Sequence, residues 1–185
     1  MYALKNKVNV EVFSNTVDKS KITHLFNELF EFDVFRKPGK ILITGNEIEY
    51  ETTTFLLKGF DITLISNDEV INSLKHSLSS KEKINFLYDD LISLPSEYNN
   101  TFDYVYAKYV SSINIKDLAA KFSSLIKKGG KCISILHNND SFQINVKEFY
   151  KTFSEFFQLE IFKREKSLTN PLKEEILQVY YKKPG

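Results

Sequence analysis

The sequence predicts one α/β domain, a three-layer sandwich in which a mostly parallel central sheet lies between helices and carries antiparallel strands at its C-terminal end. Short apolar runs typical of buried strands alternate with segments whose apolar residues recur at helical spacing. Such alternation builds right-handed βαβ units, whose strands run parallel. The last two apolar runs, Leu159–Lys163 and Glu175–Tyr181, have no helical pattern between them and therefore predict an antiparallel pair.

The chain length of 185 residues suits a single domain. We expect residues 1–36 to form an N-terminal arm and a helix, and residues 37–185 to form the core. Lys7–Phe13 fits either a short strand or an extended arm. From about Asp18 the apolar residues recur three and four positions apart, which predicts a helix.

The core elements follow one another without repeats or linkers. Gly59 stands where a glycine commonly ends a helix, and a Lys-Lys-Gly-Gly turn is expected before the fifth strand. The predicted strands are Lys40–Gly45, Asp61–Ser66, Lys83–Tyr88, Phe102–Tyr106 and Lys131–Leu136, and the predicted helices are Glu49–Lys58, Asp68–Leu78, Ile115–Ile126 and Val146–Phe157.

Composition excludes several classes of partner. The 25 basic and 24 acidic residues nearly cancel, and only Arg36 and Arg164 are arginines, so no basic block indicates a nucleic-acid partner. No apolar run approaches the roughly 20 residues that span a bilayer, and the N-terminus lacks a signal-peptide pattern. We therefore expect a cytoplasmic protein with no membrane partner.

Metal and thiol chemistry are also not expected. Cys132 is the only cysteine and lies in a strand pattern, which predicts a buried thiol. The three histidines have no metal-binding spacing, so no metal site is predicted. His137 follows the fifth strand and is a candidate general base.

Four residues predict where a ligand would bind. Gly45, Ser66, Asp90 and Ala107 each stand at the carboxyl end of a predicted strand. Parallel α/β sheets bind ligands beyond these ends, near the point where strand order reverses. We expect the four residues to line one cleft.

Several stretches carry a family resemblance over roughly Lys40–Lys182. Four stretches occur in the order and at the spacing of one enzyme family. They are the run from Lys40 into Gly45, the segment Leu57–Ser66, the Asp-Asp-Leu of Phe86–Pro95, and the Gly-Gly turn before Cys132. In these the chain resembles the class I S-adenosylmethionine (SAM) dependent methyltransferases, which share a Rossmann-like fold, and among them the thiopurine methyltransferase-like group.

The resemblance implies SAM as cofactor and a small-molecule methyl acceptor. The glycine loop, the ribose-binding position and the adenine-flanking segment carry over onto named positions. Cofactor contacts are then expected from Gly45, Asn46, Ser66, Asn67, Asp90, Leu91 and Ala107. Asp68 is a further possible ribose partner, one residue beyond Asn67.

The glycine loop departs from the family pattern. Gly45 keeps the first glycine position, but Glu47 and Glu49 occupy the next two, where side chains fill space and a positive φ brings strain. Ser66 replaces the acid that takes both ribose hydroxyls. Ala107 and Lys108 stand where related enzymes often carry an Asp-Arg pair. The tryptophan-rich lid typical of thiopurine-type enzymes is also missing, since the chain has no Trp.

These departures leave alternatives open. The chain is a small-molecule methyltransferase, a non-catalytic methyltransferase-like subunit, or an enzyme that uses a cationic relative of SAM. The glutamates between 47 and 51 form either an acidic mouth or a first helical turn favoured by the helix dipole. Tyr50, Tyr106 and Tyr109 either line the cleft or pack in the core. No catalytic residue is assigned, because methyl transfer rests on proximity and orientation. A homo-oligomer or a protein partner is possible.

Overall fold

A computed structural model describes residues 24–77, 84–88, 90–110, 113–138, 144–166 and 173–184. The predictions for Lys7–Phe13 and for the start of the first helix near Asp18 lie outside these ranges. None of the helices within them combines the length and the apolar character needed to cross a membrane.

Seven strands form one sheet, in the order β3-β2-β1-β4-β5-β7-β6. β1 to β5 pair in parallel, whereas β7 pairs antiparallel with both β5 and β6. This arrangement confirms the predicted α/β class, the mostly parallel sheet and the antiparallel C-terminal strands. The strands are β1 (Lys40–Gly45), β2 (Asp61–Ile65), β3 (Ile84–Leu87), β4 (Phe102–Lys108), β5 (Ile126–Asn138), β6 (Phe157–Lys166) and β7 (Glu174–Lys182).

Helices cover both faces of the sheet. Successive side chains of a strand point to opposite faces, and in β1 Ile41 and Ile43 belong to one buried apolar cluster while Leu42 belongs to another. Helices α1, α2 and α3 supply the first cluster, and α4 and α5 supply the second. The helices are α1 (His24–Glu31), α2 (Glu49–Leu57), α3 (Asp68–Ser77), α4 (Ile115–Leu125) and α5 (Val146–Phe153).

The largest differences from the predicted element boundaries are at the start of β5 and the end of α5. The expected Gly-Gly turn lies inside β5, where Gly129 has a φ of 79° and the pairing with β4 shifts register between Phe102 and Tyr104. α5 ends at Phe153, and Phe157 instead begins β6 opposite Lys182. Phe157 is buried in the same apolar cluster as Phe153. The four-residue spacing of these phenylalanines therefore reflects their shared burial, although Phe157 belongs to a strand and not to the helix.

Cys132 is buried in β5 as predicted. Burial raises the pKa of its thiol well above the ordinary value. A buried protonated thiol is a poor nucleophile, because the thiolate is the reactive form.

Candidate functional site

A cleft of about 300 Å³ opens at the carboxyl ends of β1 and β2, beside the end of β4. The order of strands reverses at β1, so the cleft occupies the topological switch point where ligands bind on such sheets. Six of the seven predicted cofactor-binding residues line it. The lining residues are Thr44, Gly45, Asn46, Ile65, Ser66, Asn67, Asp90, Leu91, Tyr109, Val110 and Ile113.

Ala107 does not line this cleft. It is only 2% exposed and pairs with Thr44 on one side and Ser134 on the other, inside β4. The sequence placed the end of this strand at Tyr106, but the strand continues to Lys108. The strand end that meets the cleft therefore carries Tyr109 instead, with its neighbour Val110.

Gly45 permits a close approach between β1 and β4. Its φ is 122°, and a Cβ at this position would lie 1.9 Å from the carbonyl oxygen of Lys108. The backbone N–H of Asn46 donates to the same oxygen at 3.0 Å. Glycine is therefore required by the architecture of the loop, whatever ligand the cleft binds.

Polar side chains of the cleft hold its own loops in place. Ser66 Oγ donates to the carbonyl of Gly45 at 3.1 Å, and Asn46 Nδ2 donates to the carbonyl of Tyr109 at 3.1 Å. Asn67 Oδ1 accepts from the N–H of Val70 at 3.0 Å in the first turn of α3. Ser66, a candidate ribose partner, is thus already engaged, and it fixes the position of the glycine loop.

Asp90 carries the charge of the cleft. Its Oδ1 accepts from the N–H of Ile92 at 3.2 Å, which closes a tight turn, and its side chain remains exposed. Among the described lining residues Asp90 is the one ionisable acid, and no lysine or arginine is present. A phosphate-bearing ligand would meet no cation here, whereas a cationic ligand would meet a carboxylate.

A buried ion pair lies beneath the loop that follows β1. Lys108 Nζ lies 2.6 Å from Glu51 Oε1, and both side chains are fully buried. The same Nζ donates to the carbonyl of Glu47 at 2.7 Å. Burial raises the pKa of the Glu51 carboxyl, and the ammonium of Lys108 opposes that rise. The pair therefore joins α2, the end of β4 and the loop between β1 and α2.

This pair was missed from the sequence. Glu51 was interpreted as part of an acidic mouth or of a first helical turn, and Lys108 as one of two residues that stand in place of an Asp-Arg pair. The one available signal was a lysine at the end of an otherwise apolar strand. Its partner, 57 positions away, could not be inferred from spacing.

The three tyrosines considered for the cleft divide between core and cleft. Tyr106 is fully buried, and its hydroxyl makes no hydrogen bond of ordinary geometry. Burial, followed by the charge of the nearby Glu51, raises the pKa of Tyr106. Tyr50 packs edge-on against Phe26 in the core, with ring centroids 6.0 Å apart. Only Tyr109 reaches the cleft.

Hydrogen bonds of the side chain and of the backbone fix the position of Tyr109. Its φ is 56°, its hydroxyl donates to Glu175 Oε1, and its backbone N–H donates to the carbonyl of Ile135 at 2.9 Å. Burial and then the charge of Glu175 raise the pKa of its phenol. The ring lies 5.1 Å from that of His137, centroid to centroid. His137 thus stands behind Tyr109 and does not line the cleft.

The two loop glutamates have different conformations. Glu47 has a φ of 52°, in the left-handed region that disfavours L side chains. Glu49 begins α2 with ordinary helical geometry. The predicted strain is therefore present at Glu47 and absent at Glu49.

Glu47→Gly is expected to raise the free energy of unfolding by about 0.5–1 kcal/mol, because glycine removes a left-handed penalty of about 1–2 kcal/mol at some entropic cost. The hydrogen bond from Lys108 is kept, since it uses the Glu47 backbone carbonyl. Glu49→Gly is the matched control and should lower stability by about 1 kcal/mol within the helix. Urea denaturation measures both, and equal losses in the two variants would contradict the conformational argument.

Comparisons with known proteins rest on structure alone. The sequence matches no protein-family model, and no curated protein matches it. Its structure is similar to the N-methyltransferase NodS from Bradyrhizobium japonicum, with a TM-score of 0.72 and 10% identity over 90% of this chain and 98% of that chain. This chain has the class I methyltransferase fold.

Two further solved structures are similar to this chain. TehB from Haemophilus influenzae has a TM-score of 0.68 and 16% identity over 95% of this chain and 67% of that one. The 1,6-didemethyltoxoflavin-N1-methyltransferase of Burkholderia thailandensis, solved with its substrate and S-adenosylhomocysteine, has a TM-score of 0.64 and 12% identity over 98% and 88% of the two chains.

Within the described ranges, no group of His, Cys, Asp and Glu side chains is placed to hold a metal ion.

Proposed function

We propose that this protein binds SAM in the cleft around Gly45, Ser66 and Asp90 and transfers its methyl group to a small molecule. The observation that carries the proposal is the charge of that cleft: on a methyltransferase fold, at the switch point, its described lining has one carboxylate and no base. Such a lining suits a nucleoside with a sulfonium and disfavours a phosphorylated cofactor. The relation to the thiopurine methyltransferase-like group forms part of the proposal.

The residues present fit such a ligand. A volume of about 300 Å³ lies at the lower end of the range for ligand pockets and admits a compact nucleoside. Asp90 would accept hydrogen bonds through the carboxylate oxygen that its own turn does not use. Ser66 and Asn67 stand side by side at the end of β2, where the ribose is expected. Leu91 and Ile65 offer an apolar wall.

The chain's contribution to methyl transfer is position. Bound SAM supplies an electrophilic methyl group on a sulfonium. Asn46, Ser66 and Asn67 fix the loops through hydrogen bonds to the backbone, so little reorganisation accompanies binding. Tyr109, Val110 and Ile113 form a largely apolar wall that would exclude water and orient an acceptor. Proximity of this kind accelerates bimolecular steps without an acid or base.

Asp90→Asn is expected to weaken SAM binding by roughly 5- to 30-fold, which corresponds to about 1–2 kcal/mol for a hydrogen bond to a charged group. The substitution keeps the shape of the side chain and removes its charge. Isothermal titration calorimetry with SAM and with S-adenosylhomocysteine measures the change. Asp61→Asn is the matched control, since Asp61 is exposed at the opposite end of β2. This variant should bind SAM with the affinity of the wild type.

Other outcomes would contradict the proposal in distinguishable ways. A wild type that binds neither compound at millimolar concentration would remove SAM as the cofactor. Binding of SAM without methyl transfer to any tested acceptor would favour a non-catalytic subunit. Tighter binding of decarboxylated SAM than of SAM would favour the cationic relative.

A further inference from the structure

A second concave site lies at the opposite ends of the parallel strands, where β1 and β4 begin. This basin, about 540 Å³ in volume, is formed by the turn before β1, the starts of β4 and β5, and residues of β6 and β7. β1 separates it from the cleft by about 17 Å, at about 3.3 Å per residue. The residues that matter below are Arg36, Lys37, Asp103, Lys127, Lys128 and Glu160.

Both acids of the basin are neutralised by neighbouring groups. Asp103 Oδ1 accepts from Lys127 Nζ at 2.9 Å, and its Oδ2 accepts from the backbone N–H of Lys40 at 2.9 Å. Burial alone would raise the pKa of Asp103, but these hydrogen bonds together with the charges of Lys127 and Lys37 outweigh it and lower the pKa. Glu160 pairs with Lys131 at 2.9 Å.

Three cations of the basin have no ion-pair partner among the described residues. Arg36, Lys37 and Lys128 make no ion pair or side-chain hydrogen bond within the part of the chain that the structure describes. The charge of Lys128 acts on its neighbour Lys182, whose pKa is lowered by burial and further by Lys128. The charged side chains of the described lining therefore sum to a net charge of about +3, and no further acid lies within that lining.

The turn that carries two of these cations is held in place. The hydroxyl of Tyr104, itself almost fully buried, donates to the carbonyl of Lys37 at 3.1 Å. Pro38 follows and restricts the backbone φ of the turn. Arg36 and Lys37 are thus presented at the rim by an anchored backbone, which lowers the entropic cost of ordering them around a ligand.

Arginine usage supports a specific role for the basin. The chain has only two arginines among 25 basic residues. Arg164 is committed to Glu174 through two hydrogen bonds of 2.7 Å. Arg36 is the other, and its planar fork matches phosphate oxygens in a bidentate way that lysine cannot reproduce.

We propose that the basin binds a small molecule that carries a multiply charged phosphate group. Three cations without an ion-pair partner among the described residues, one of them an arginine, match the charge of a diphosphate better than that of a monoanion. The volume lies within the range of small-molecule pockets. The basin is independent of the proposed SAM cleft.

The test is calorimetric titration of the full chain with inorganic pyrophosphate in phosphate-free, low-salt buffer. The wild type should bind saturably with one site, and sodium acetate should give no saturable heat. Arg36→Gln and Lys128→Gln should each weaken the affinity by about tenfold or more. Arg164→Gln, which removes the chain's other arginine, should leave the affinity within about twofold of the wild type.

The result that overturns the proposal is also defined. No saturable binding of pyrophosphate by the wild type would exclude the site. Equal losses in Arg36→Gln and Arg164→Gln would show only a general response to net charge. Circular dichroism and thermal melts establish that each variant is folded. Asp90→Asn should leave pyrophosphate binding unchanged, so failure here is separable from failure of the SAM proposal.

Discussion

Lys108→Met is expected to lower the free energy of unfolding by about 3–5 kcal/mol, the cost of leaving one partner of a buried ion pair uncompensated. Lys108 and Glu51 are both fully buried, so no water can replace the lost ammonium. The carbonyl of Glu47 would lose its donor at the same time. Chemical denaturation of the wild type and the variant measures the difference.

Two further variants isolate the origin of this loss. Lys127→Met is the matched control, because Lys127 pairs with Asp103 while its side chain is 43% exposed, and such surface pairs are worth about 0–1 kcal/mol. The double variant Lys108→Met with Glu51→Gln should recover a large part of the loss, since it removes the unpaired charge. Similar costs for Lys108→Met and Lys127→Met would show that burial does not set the strength of the pair.

Gly45→Ala is expected to be the most damaging glycine-to-alanine change among the described glycines, with a loss of about 4 kcal/mol or more, or failure to fold. A Cβ 1.9 Å from a backbone oxygen cannot be relieved by a side-chain rotation. β1 and β4 would have to separate at the point where they form the cleft. Soluble expression and thermal unfolding measure the outcome.

Gly59→Ala separates the effect of the clash from that of the backbone angle. Gly59 also has a positive φ, 84°, but the nearest atoms to an added Cβ are those of Pro38, 3.9 Å away. Its loss should be only the left-handed penalty, about 1–2 kcal/mol. If both alanine variants lost the same stability, close approach at Gly45 would not be the reason for its glycine.

The sequence by itself determined the class of the fold. In β1, apolar residues fill successive positions because helices cover both faces of the strand, and such a run is recognisable without a structure. The absence of a helical pattern between β6 and β7 likewise predicted their antiparallel pairing, since a direct return cannot be parallel.

The sequence also located most of the cleft. Gly45 ends β1, while Ser66 and Asp90 lie just beyond the ends of β2 and β3, and parallel strands bring their carboxyl ends together. Ala107 was placed wrongly in the cleft because the end of β4 was predicted two residues too early. Strand ends depend on pairing with neighbours, here Lys108 with Gly45 and Ile135, which local patterns do not encode.

Only the tertiary structure decided which charged side chains are buried, which form ion pairs and which have no partner among the described residues. Glu51 and Lys108 lie 57 positions apart, and although a lysine at the end of an apolar strand is unusual, nothing in the local sequence identifies its partner. The basin around Arg36 likewise assembles charges from four separate stretches of chain, and its acids are neutralised by groups distant in sequence. Hydrophobic periodicity is a local property and can be predicted locally, whereas the balance of charge at a site depends on every element that folds around it.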